Sequence, residues 1–449
     1  MVALACAWLV GAGRAAEPPR RTSVVLILAD DLGYGDLGCY GQKRIQTPNL
    51  DQLAAEGIRF ANYYAGAPVT AAAYASLMTG REAVRAGAPG SAGWVLRAAD
   101  QTIADWARAA GYATGLAGGW LLGEPGTSGA PDRKGFEEFV GCVTPSSAHD
   151  YYPEYLWRWE GRTGRGTNIL VYENVARKRG LYIPDLYCTA AQNFVRIHRP
   201  DKFNAFRPFF FTLADPLPGA NPEEGRRSGN GMQVPSDSPY STEPWPAPEK
   251  NKAAMITRLD QDVGLILARL KQLRLEEDTL VLFASLNGPH AEGGVNPAFL
   301  QSAGPFRGAK GSLAEGGIRV PLIARWTGKI PPGRVCGLPC AAWDLLPTIL
   351  ELIGTGRPAG IDGGSLLPSL LGQSQTNRSA FLYWEIGDDA HLQQAARSGD
   401  WKAFRPAPDQ PLQLYQLTSD PGEKHDAAAD QPALLARFEK FLTHVRAPR

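Results

Sequence analysis

Apolar residues follow two different patterns along the chain, and these predict two kinds of secondary structure. Residues 23–29 and 209–214 are continuous apolar runs rich in β-branched or aromatic side chains, typical of strands buried on both faces of a sheet. Residues 251–273 carry apolar side chains at helical spacing, which predicts a long amphipathic helix. Residues 47–57 predict a shorter helix, with proline near its start and glycine at its end. Strands and helices mixed in this way favour an α/β fold.

The later part of the chain has a different organisation. Residues 216–248 are rich in proline, glycine, serine and glutamate and are predicted to form an exposed loop. A polar stretch at residues 373–378 is predicted to be a linker. A closing helix is predicted at residues 431–445. Between the linker and this helix, strands are predicted at residues 380–384, 395–404 and 413–417.

The length and the net charge of the chain limit which classes of protein it can belong to. The 449 residues are enough for two domains. The net charge of +1 does not indicate the basic surface that a nucleic-acid-binding protein has. Residues 1–16 form a short apolar run that ends in small residues, which predicts a signal peptide and export. This run is too short to span a bilayer, and no later transmembrane segment is predicted.

The chain has six cysteines, of which one lies in the predicted signal peptide. Cys336 and Cys340 are close enough in sequence to close a small disulfide loop in an oxidising compartment. The alternative is that all the cysteines are scattered buried thiols. A zinc site is not predicted, because no second cysteine or histidine pair has ligand spacing.

Two segments carry candidate chemistry. Asp30 and Asp31 directly follow the apolar run at residues 23–29, where adjacent carboxylates suit a hard cation; the alternative is a turn with one capping aspartate. Thr70 precedes a predicted helix at residues 71–78, and the N-terminal end of a helix favours anions. Thr70 could equally serve as an ordinary helix N-cap.

Residues 68–81 resemble the sulfatase signature, in which a cysteine begins C-x-P-S-R and the segment ends Leu-Thr-Gly-Arg. Thr70 stands at the position of that cysteine. Further segments match family motifs in order: residues 24–36, 47–60, 111–120, 280–288, 304–312, 315–321, 343–348 and 362–366. The resemblance covers nearly the whole chain, which is therefore identified as a member of the sulfatase family within the alkaline phosphatase superfamily.

The resemblance implies an alkaline-phosphatase-like fold. A large mixed-sheet α/β domain flanked by helices is expected at residues 21–371. A small C-terminal domain, an antiparallel sheet with one helix, is expected at residues 377–449.

The resemblance also implies the roles of single residues. The metal-ligand positions are those of Asp30, Asp31 and Asn287. The catalytic positions are those of Thr70, Lys310 and His149. The positions expected to contact substrate are those of Lys310, His149 and His290. In the family the cysteine is oxidised to formylglycine, whose hydrate is the nucleophile; threonine has no thiol, so no formylglycine is expected here.

Other departures from the family pattern also fall on the chemistry. Tyr74 stands in place of an arginine, Gly119 in place of a lysine, Leu121 and Gly219 in place of histidines, and Leu286 in place of a metal-binding aspartate. These changes remove cations that would bind an oxyanion, candidate proton donors and one metal ligand. The sequence therefore predicts that the fold is kept while catalysis is lost, with Ca²⁺ binding weak at best.

Three functions of different classes fit this sequence. The first is a non-catalytic protein that binds a sulfated or other anionic glycan, or a partner protein, through the cleft that corresponds to the active site of the family. The second is an active hydrolase of sulfate or phosphate esters that uses Thr70 directly as nucleophile. The third is a structural or dimerising protein without a ligand.

Overall fold

The structure is a computed structural model and describes residues 21–87, 94–375 and 379–445. The predicted signal peptide at residues 1–16 lies outside the described residues, as do residues 376–378 of the predicted linker.

Strands account for much of the described chain. They are β1 Ser23–Ala29, β2 Ile58–Phe60, β3 Tyr63–Tyr64, β4 Ala113–Gly119, β5 Glu138–Cys142, β6 Tyr155–Glu160, β7 Arg165–Leu170, β8 Phe209–Asp215, β9 Thr279–Ser285, β10 Leu322–Arg325, β11 Arg334–Cys336, β12 Cys340–Ala341, β13 Leu382–Ile386, β14 Gln393–Ser398, β15 Trp401–Arg405 and β16 Gln413–Gln416.

The largest sheet is mixed, with the strand order β11-β2-β10-β9-β1-β8-β4-β5-β6-β7. At its centre β1 is parallel to both β8 and β9, with Val24 beside Leu280 and Leu28 beside Ala284. Residues 24–28 and 280–284 therefore lie side by side in one mixed sheet. Because β1, β8 and β9 are parallel, their carboxyl ends meet at one edge of the sheet, where open α/β sheets bind ligands.

Helices cover both faces of this sheet. The α-helices of the described chain are α1 Pro48–Ala55, α2 Thr70–Thr79, α3 Ala83–Ala86, α4 Ile103–Ala109, α5 Pro145–Ala148, α6 Ile183–Ile197, α7 Pro222–Ser228, α8 Ala247–Gln272, α9 Glu315–Ile318, α10 Leu345–Ile353, α11 Leu367–Leu370 and α12 Pro432–Val445. Alternate side chains of β1 enter two different cores: Leu26 packs with α2 and α10, whereas Ile27 packs with α6 and α8. Among the described residues no helix is both long and apolar enough to cross a bilayer.

A separate four-stranded antiparallel sheet, β13-β14-β15-β16, follows the large one. Phe438 and Leu442 of α12 pack against one face of it with Tyr383 and Leu414. The predicted α/β fold with a small C-terminal antiparallel sheet is confirmed. The exact boundaries of the two predicted domains stay a prediction.

Some local predictions were wrong. Residues 395–404 form two strands, β14 and β15, because Ser398, Gly399 and Asp400 make a tight turn in which Gly399 has a φ of 58°. The predicted exposed loop at residues 216–248 contains the helix α7, which Asn221 caps by accepting bonds from the backbone N–H groups of residues 223 and 224. No disulfide is present among the described cysteines, and Cys336 and Cys340 belong to different sheets.

Candidate functional site

The predicted site residues converge at the carboxyl edge of the large sheet. Asp30 and Asp31 follow β1, and Asn287 follows β9, whose last residue Ser285 lies beside Ala29. Thr70 is the first residue of α2. The register of the two parallel strands therefore brings the acidic pair and the amide together, as the sequence predicted.

Thr70 points its hydroxyl at this cluster. Its Oγ1 donates to Asp30 Oδ1 at 2.8 Å and lies 3.0 Å from Asn287 Oδ1. The alternative that Thr70 is an ordinary N-cap is wrong: Val69 holds the N-cap position and Thr70 is already helical. The hydroxyl donates instead to a carboxylate that follows β1, so the side chain belongs to the polar cluster of the cleft.

Asp31 is fully buried and is held by a cation and an amide. Lys310 Nζ donates to Asp31 Oδ2 at 2.8 Å, and Asn287 Nδ2 donates to Asp31 Oδ1 at 2.7 Å. Burial alone would raise the pKa of Asp31, but Lys310, His290 and these hydrogen bonds hold it well below the usual range. The carboxylate is therefore ionised and paired with the Lys310 ammonium.

His149 contacts the other carboxylate. Its Nε2 lies 3.3 Å from Asp30 Oδ2, and its side chain keeps 14% of its surface exposed. Burial would lower the pKa of His149, but the Asp30 hydrogen bond and the charges of Asp30 and Asp31 raise it above the ordinary value. The site thus contains two groups that can carry positive charge, Lys310 and His149.

His290 has a different environment. Its ring is fully buried; Nδ1 accepts from the Glu292 backbone N–H at 3.1 Å, and Nε2 lies 3.2 Å from the Pro218 carbonyl oxygen. Burial lowers the pKa of His290 to about 4, so the ring is neutral near pH 7. The sequence predicted a substrate contact, but both ring nitrogens are already bonded. This placement instead makes His290 a positioning residue for the loop after β9.

Two of the departures from the family pattern are core residues. Tyr74 is fully buried, and its ring packs edge-on against Trp120 with ring centroids 5.4 Å apart. Its hydroxyl has no hydrogen-bond partner among the described residues. Leu286 is also buried and belongs to the same apolar cluster. Positions that would supply a cation and a carboxylate in the family here supply packing.

The other departures differ in the space around them. A Cβ at Gly119 would meet only Ala148 Cβ at 3.6 Å, an ordinary contact. A Cβ at Gly219 would lie 2.8 Å from the Pro216 carbonyl oxygen and 3.3 Å from His149 Cδ2. A side chain at position 219 would therefore require His149 and its neighbours to move.

The donor set is small for a calcium ion. Asp30, Asp31 and His149 bring ligand atoms within 4.8 Å of one another, and Asn287 adds an amide oxygen. Calcium typically takes about six to eight oxygen ligands. Here Leu286 adds none, and the Lys310 ammonium already bonds Asp31. The cluster neutralises its own carboxylates, so these residues do not make a well-fitted calcium site.

A cavity of about 1150 Å³ includes His149 in its wall. Arginines from two segments far apart in sequence also line it: Arg177 and Arg179 on one side, Arg226 and Arg227 of α7 on the other. Sequence reasoning missed these residues. The arginines are visible in both segments, but no pattern in the sequence indicates that the two segments face each other.

Models of known families match the chain over most of its length. The model described as "Sulfatase" matches residues 22–355. The model described as "N-sulphoglucosamine sulphohydrolase, C-terminal" matches residues 309–446.

Curated relatives and solved structures agree with these matches. The chain is 34% identical to arylsulfatase A of Homo sapiens, over 92% of this chain and 83% of the relative. It is 30% identical to steryl-sulfatase of Mus musculus, over 91% and 79% respectively. The crystal structure of Ps i-CgsB in complex with k-i-k-neocarrahexaose aligns with a TM-score of 0.79 and 27% identity, covering 94% of this chain and 93% of that one. The fold, the ordered motifs and these matches lead to one conclusion: the chain belongs to the sulfatase family.

Proposed function

We propose that this member of the sulfatase family does not hydrolyse sulfate esters and instead binds a sulfated or otherwise anionic glycan in its cleft. The observation that carries the proposal is Thr70 at the nucleophile position, with its hydroxyl donated to Asp30 at 2.8 Å. A threonine side chain has no thiol from which the family's aldehyde could be made.

The surroundings of Thr70 support the loss of hydrolysis. Tyr74 and Leu286 are buried and supply no charge, and Gly119 and Gly219 have no side chain to offer. Stabilising charge in the transition state and protonating the leaving group are each worth roughly 10²-fold or more in rate. The absent groups act as a unit, so their effects on rate are not additive.

The remaining cations support anion binding. The side chain of Lys310 keeps 17% of its surface exposed and that of His149 keeps 14%, so both can still be reached from the cleft. Charge-assisted hydrogen bonds from such groups suit a sulfate oxygen. Sulfated sugars are also the ligands named for structural relatives, including a complex with D-glucosamine-2-N,6-O-disulfate.

The test of lost hydrolysis is the turnover of a chromogenic aryl sulfate. Purified protein is expected to release no more sulfate than the Thr70→Ala control. Thr70→Cys alone is also expected to stay inactive, because the oxyanion partners and one carboxylate are still missing. Sulfate release by the unmodified protein well above the Thr70→Ala control would contradict the proposal.

A second candidate function rests on the same hydrogen bond. Asp30 accepts from Thr70 and is itself next to His149, so a carboxylate lies within general-base distance of a hydroxyl nucleophile. This geometry favours direct attack by Thr70 on a phosphate or sulfate ester. Cleavage of an aryl phosphate diester that disappears in Thr70→Ala would favour this function over the first.

Binding is tested separately from turnover. Immobilised sulfated glycans are expected to retain the protein, and Lys310→Ala is expected to weaken that retention. Absence of turnover together with absence of anion binding would favour the third function, a structural or dimerising protein.

Weak calcium affinity and export are part of the same proposal. Export is checked by N-terminal sequencing of protein secreted from the native host.

A further inference from the structure

The cavity beside His149 is larger than one sulfate group requires. It has a volume of about 1150 Å³ and extends from His149 to the helix α7. His149, which lines the cavity, also lies 3.3 Å from Asp30, so the cavity adjoins the cleft.

Two segments that line the cavity, residues 177–179 and α7, are linked by one carboxylate. Arg179 Nη2 donates to Glu224 Oε2 at 2.9 Å, and Arg227 Nη2 donates to Glu224 Oε1 at 2.8 Å. Glu224 is largely buried between them, with 13% of its side-chain surface exposed. These contacts fix the segment 176–180 against α7.

The two other arginines of the cavity, Arg177 and Arg226, are exposed and form no ion pair among the described residues. Their guanidinium groups can each offer two parallel N–H donors, a geometry that matches the oxygens of a sulfate group.

The backbone that carries Arg177 is unusual. Ala176, Arg177 and Arg179 have φ values of 58°, 61° and 52°, in the left-handed region that residues other than glycine rarely adopt. The Ala176 backbone N–H donates to Glu154 Oε1 at 2.9 Å, which helps hold this conformation. Strained backbone of this kind persists where its surroundings fix it, and it is concentrated at ligand-binding sites.

From these observations we infer that Arg177 and Arg226 form a second sulfate-binding subsite, so that the ligand is a glycan with at least two sulfate groups. One sulfate group lies toward Lys310 and His149, and the other lies between the two arginines. The inference rests on the proposed binding function of the cleft. Three carboxylates of the same cavity, Glu223, Asp150 and Glu154, oppose this binding, and Glu223 is the exposed one on α7.

The experiment is calorimetric titration with sucrose octasulfate as the polysulfated probe and glucose 6-sulfate as the single-sulfate probe. The double variant Arg177→Ala/Arg226→Ala is expected to bind the octasulfate about tenfold more weakly, as for two exposed charge-assisted contacts. Its affinity for glucose 6-sulfate is expected to stay within about twofold, because that ligand needs only the Lys310 side of the cleft. Glu223→Gln is expected to strengthen octasulfate binding.

The matched control is Arg108→Ala/Arg133→Ala, which removes two exposed arginines that do not line the cavity. Equal octasulfate affinity in the cavity and control variants, or no octasulfate binding by the unmodified protein, would overturn the subsite. If Lys310→Ala weakens octasulfate binding and the cavity variant does not, the subsite is wrong and the proposed function stands. If only the cavity variant weakens it, the proposed function of the cleft is wrong, and the two-point inference with it.

Discussion

Two clusters of buried charges each include one residue of the segment 310–315, and they are built differently. The cleft cluster consists of Asp30, Asp31, Lys310 and His149. The joining cluster links the large sheet region to the C-terminal sheet, and its members are Glu315, Arg319, Arg397, Lys402 and Glu423. In the joining cluster Lys402 Nζ forms ion pairs with Glu315 Oε1 at 3.0 Å and Glu423 Oε1 at 2.9 Å, and all three side chains are fully buried. In the cleft cluster Lys310 and His149 remain partly exposed.

This difference separates charges used for architecture from charges available to a ligand. Burial would raise the pKa of Glu315, but Lys402, Arg319 and Arg397 lower it to about 2, so Glu315 is ionised and paired with cations of its own cluster. The cleft cluster also pairs its carboxylates with its own cations, yet solvent still reaches those cations. The cations of the cleft cluster are therefore accessible to an anionic ligand, whereas Lys402 at the centre of the joining cluster is fully buried.

Lys402→Met, which removes the shared cation of the joining cluster, is expected to have the largest effect on stability. It leaves Glu315 and Glu423 as two buried carboxylates without their shared cation, and breaking a buried ion pair in this way typically costs about 3–5 kcal/mol. We expect a large drop in the urea midpoint of unfolding. Lys440→Met, which removes an exposed lysine from α12, serves as the control. Equal midpoints for the two variants would show that the joining cluster does not hold the C-terminal sheet in place.

Lys310→Met removes the corresponding cation of the cleft cluster. We expect a smaller destabilisation of about 1–3 kcal/mol, because Asp31 keeps the hydrogen bond from Asn287 and water can reach the cleft. Binding of sulfated glycans should fall as well, which Lys402→Met should not cause in the folded protein. Urea unfolding and retention on sulfated glycans measure the two effects. If Lys310→Met is as unstable as Lys402→Met, the cleft cluster and the joining cluster do not differ in their contribution to stability.

A third cluster of buried carboxyl groups differs from both, because in the described part of the chain it has only one cation near it, Arg258. Asp262 of α8 lies near Asp185, Asp215, Arg258 and the Cys188 thiol. Burial is the main cause that raises the pKa of Asp262 to about 7. One oxygen of Asp262 and one of Asp215 have no hydrogen-bond partner among the described residues. Here the protein stabilises the neutral acid in place of an ion pair.

The sign of the pH effect follows from this raised pKa. Between about pH 4 and 7 the folded protein holds the Asp262 proton and the unfolded chain, with its ordinary pKa, does not. This residue's contribution to stability therefore falls as pH rises through that range and is constant above it. Asp262→Asn should unfold at higher urea than the unmodified protein at pH 8, by about 1–2 kcal/mol. The gain should vanish near pH 4, and a gain that does not depend on pH would contradict this account.

The smallest expected effect is on metal affinity. Leu286→Asp returns a carboxylate beside Asp30 and Asp31 and should strengthen calcium binding by about tenfold, equivalent to about 1.4 kcal/mol. Titration calorimetry with Ca²⁺ measures it, and Leu286→Asn provides a polar control without the charge. Tight calcium binding by the unmodified protein, with no gain in the variant, would contradict the argument from ligand count.

The sequence was informative where a residue's role depends on local pattern. The apolar run at residues 23–29 predicted the buried strand β1. The resemblance to family motifs identified Asp30, Asp31, Thr70, Asn287 and Lys310 as site positions, and they lie at one edge of the sheet. The sequence failed where the outcome depends on tertiary contacts. Thr70 has the residue type of an N-cap, yet its hydroxyl is drawn to Asp30 across the cleft.

Other failures have equally physical causes. The two strands at residues 393–405 have similar composition, and the turn at Gly399 is a short signal inside an apolar pattern. His290 has the residue type of a ligand contact, but burial and two backbone partners fix it in the loop. The arginine walls of the cavity come together only because α7 folds against residues 176–180, which no local pattern encodes.

The buried position of Tyr74 has a consequence for any attempt to restore the family arginine there. An arginine at position 74 would place a guanidinium beside Trp120 among fully buried side chains, and an unpaired buried charge is strongly destabilising. A mutation back toward the family pattern at this position would lower stability before it could contribute to any reaction. Restoring the family arginine therefore requires compensating changes in the buried side chains around Tyr74, such as Trp120.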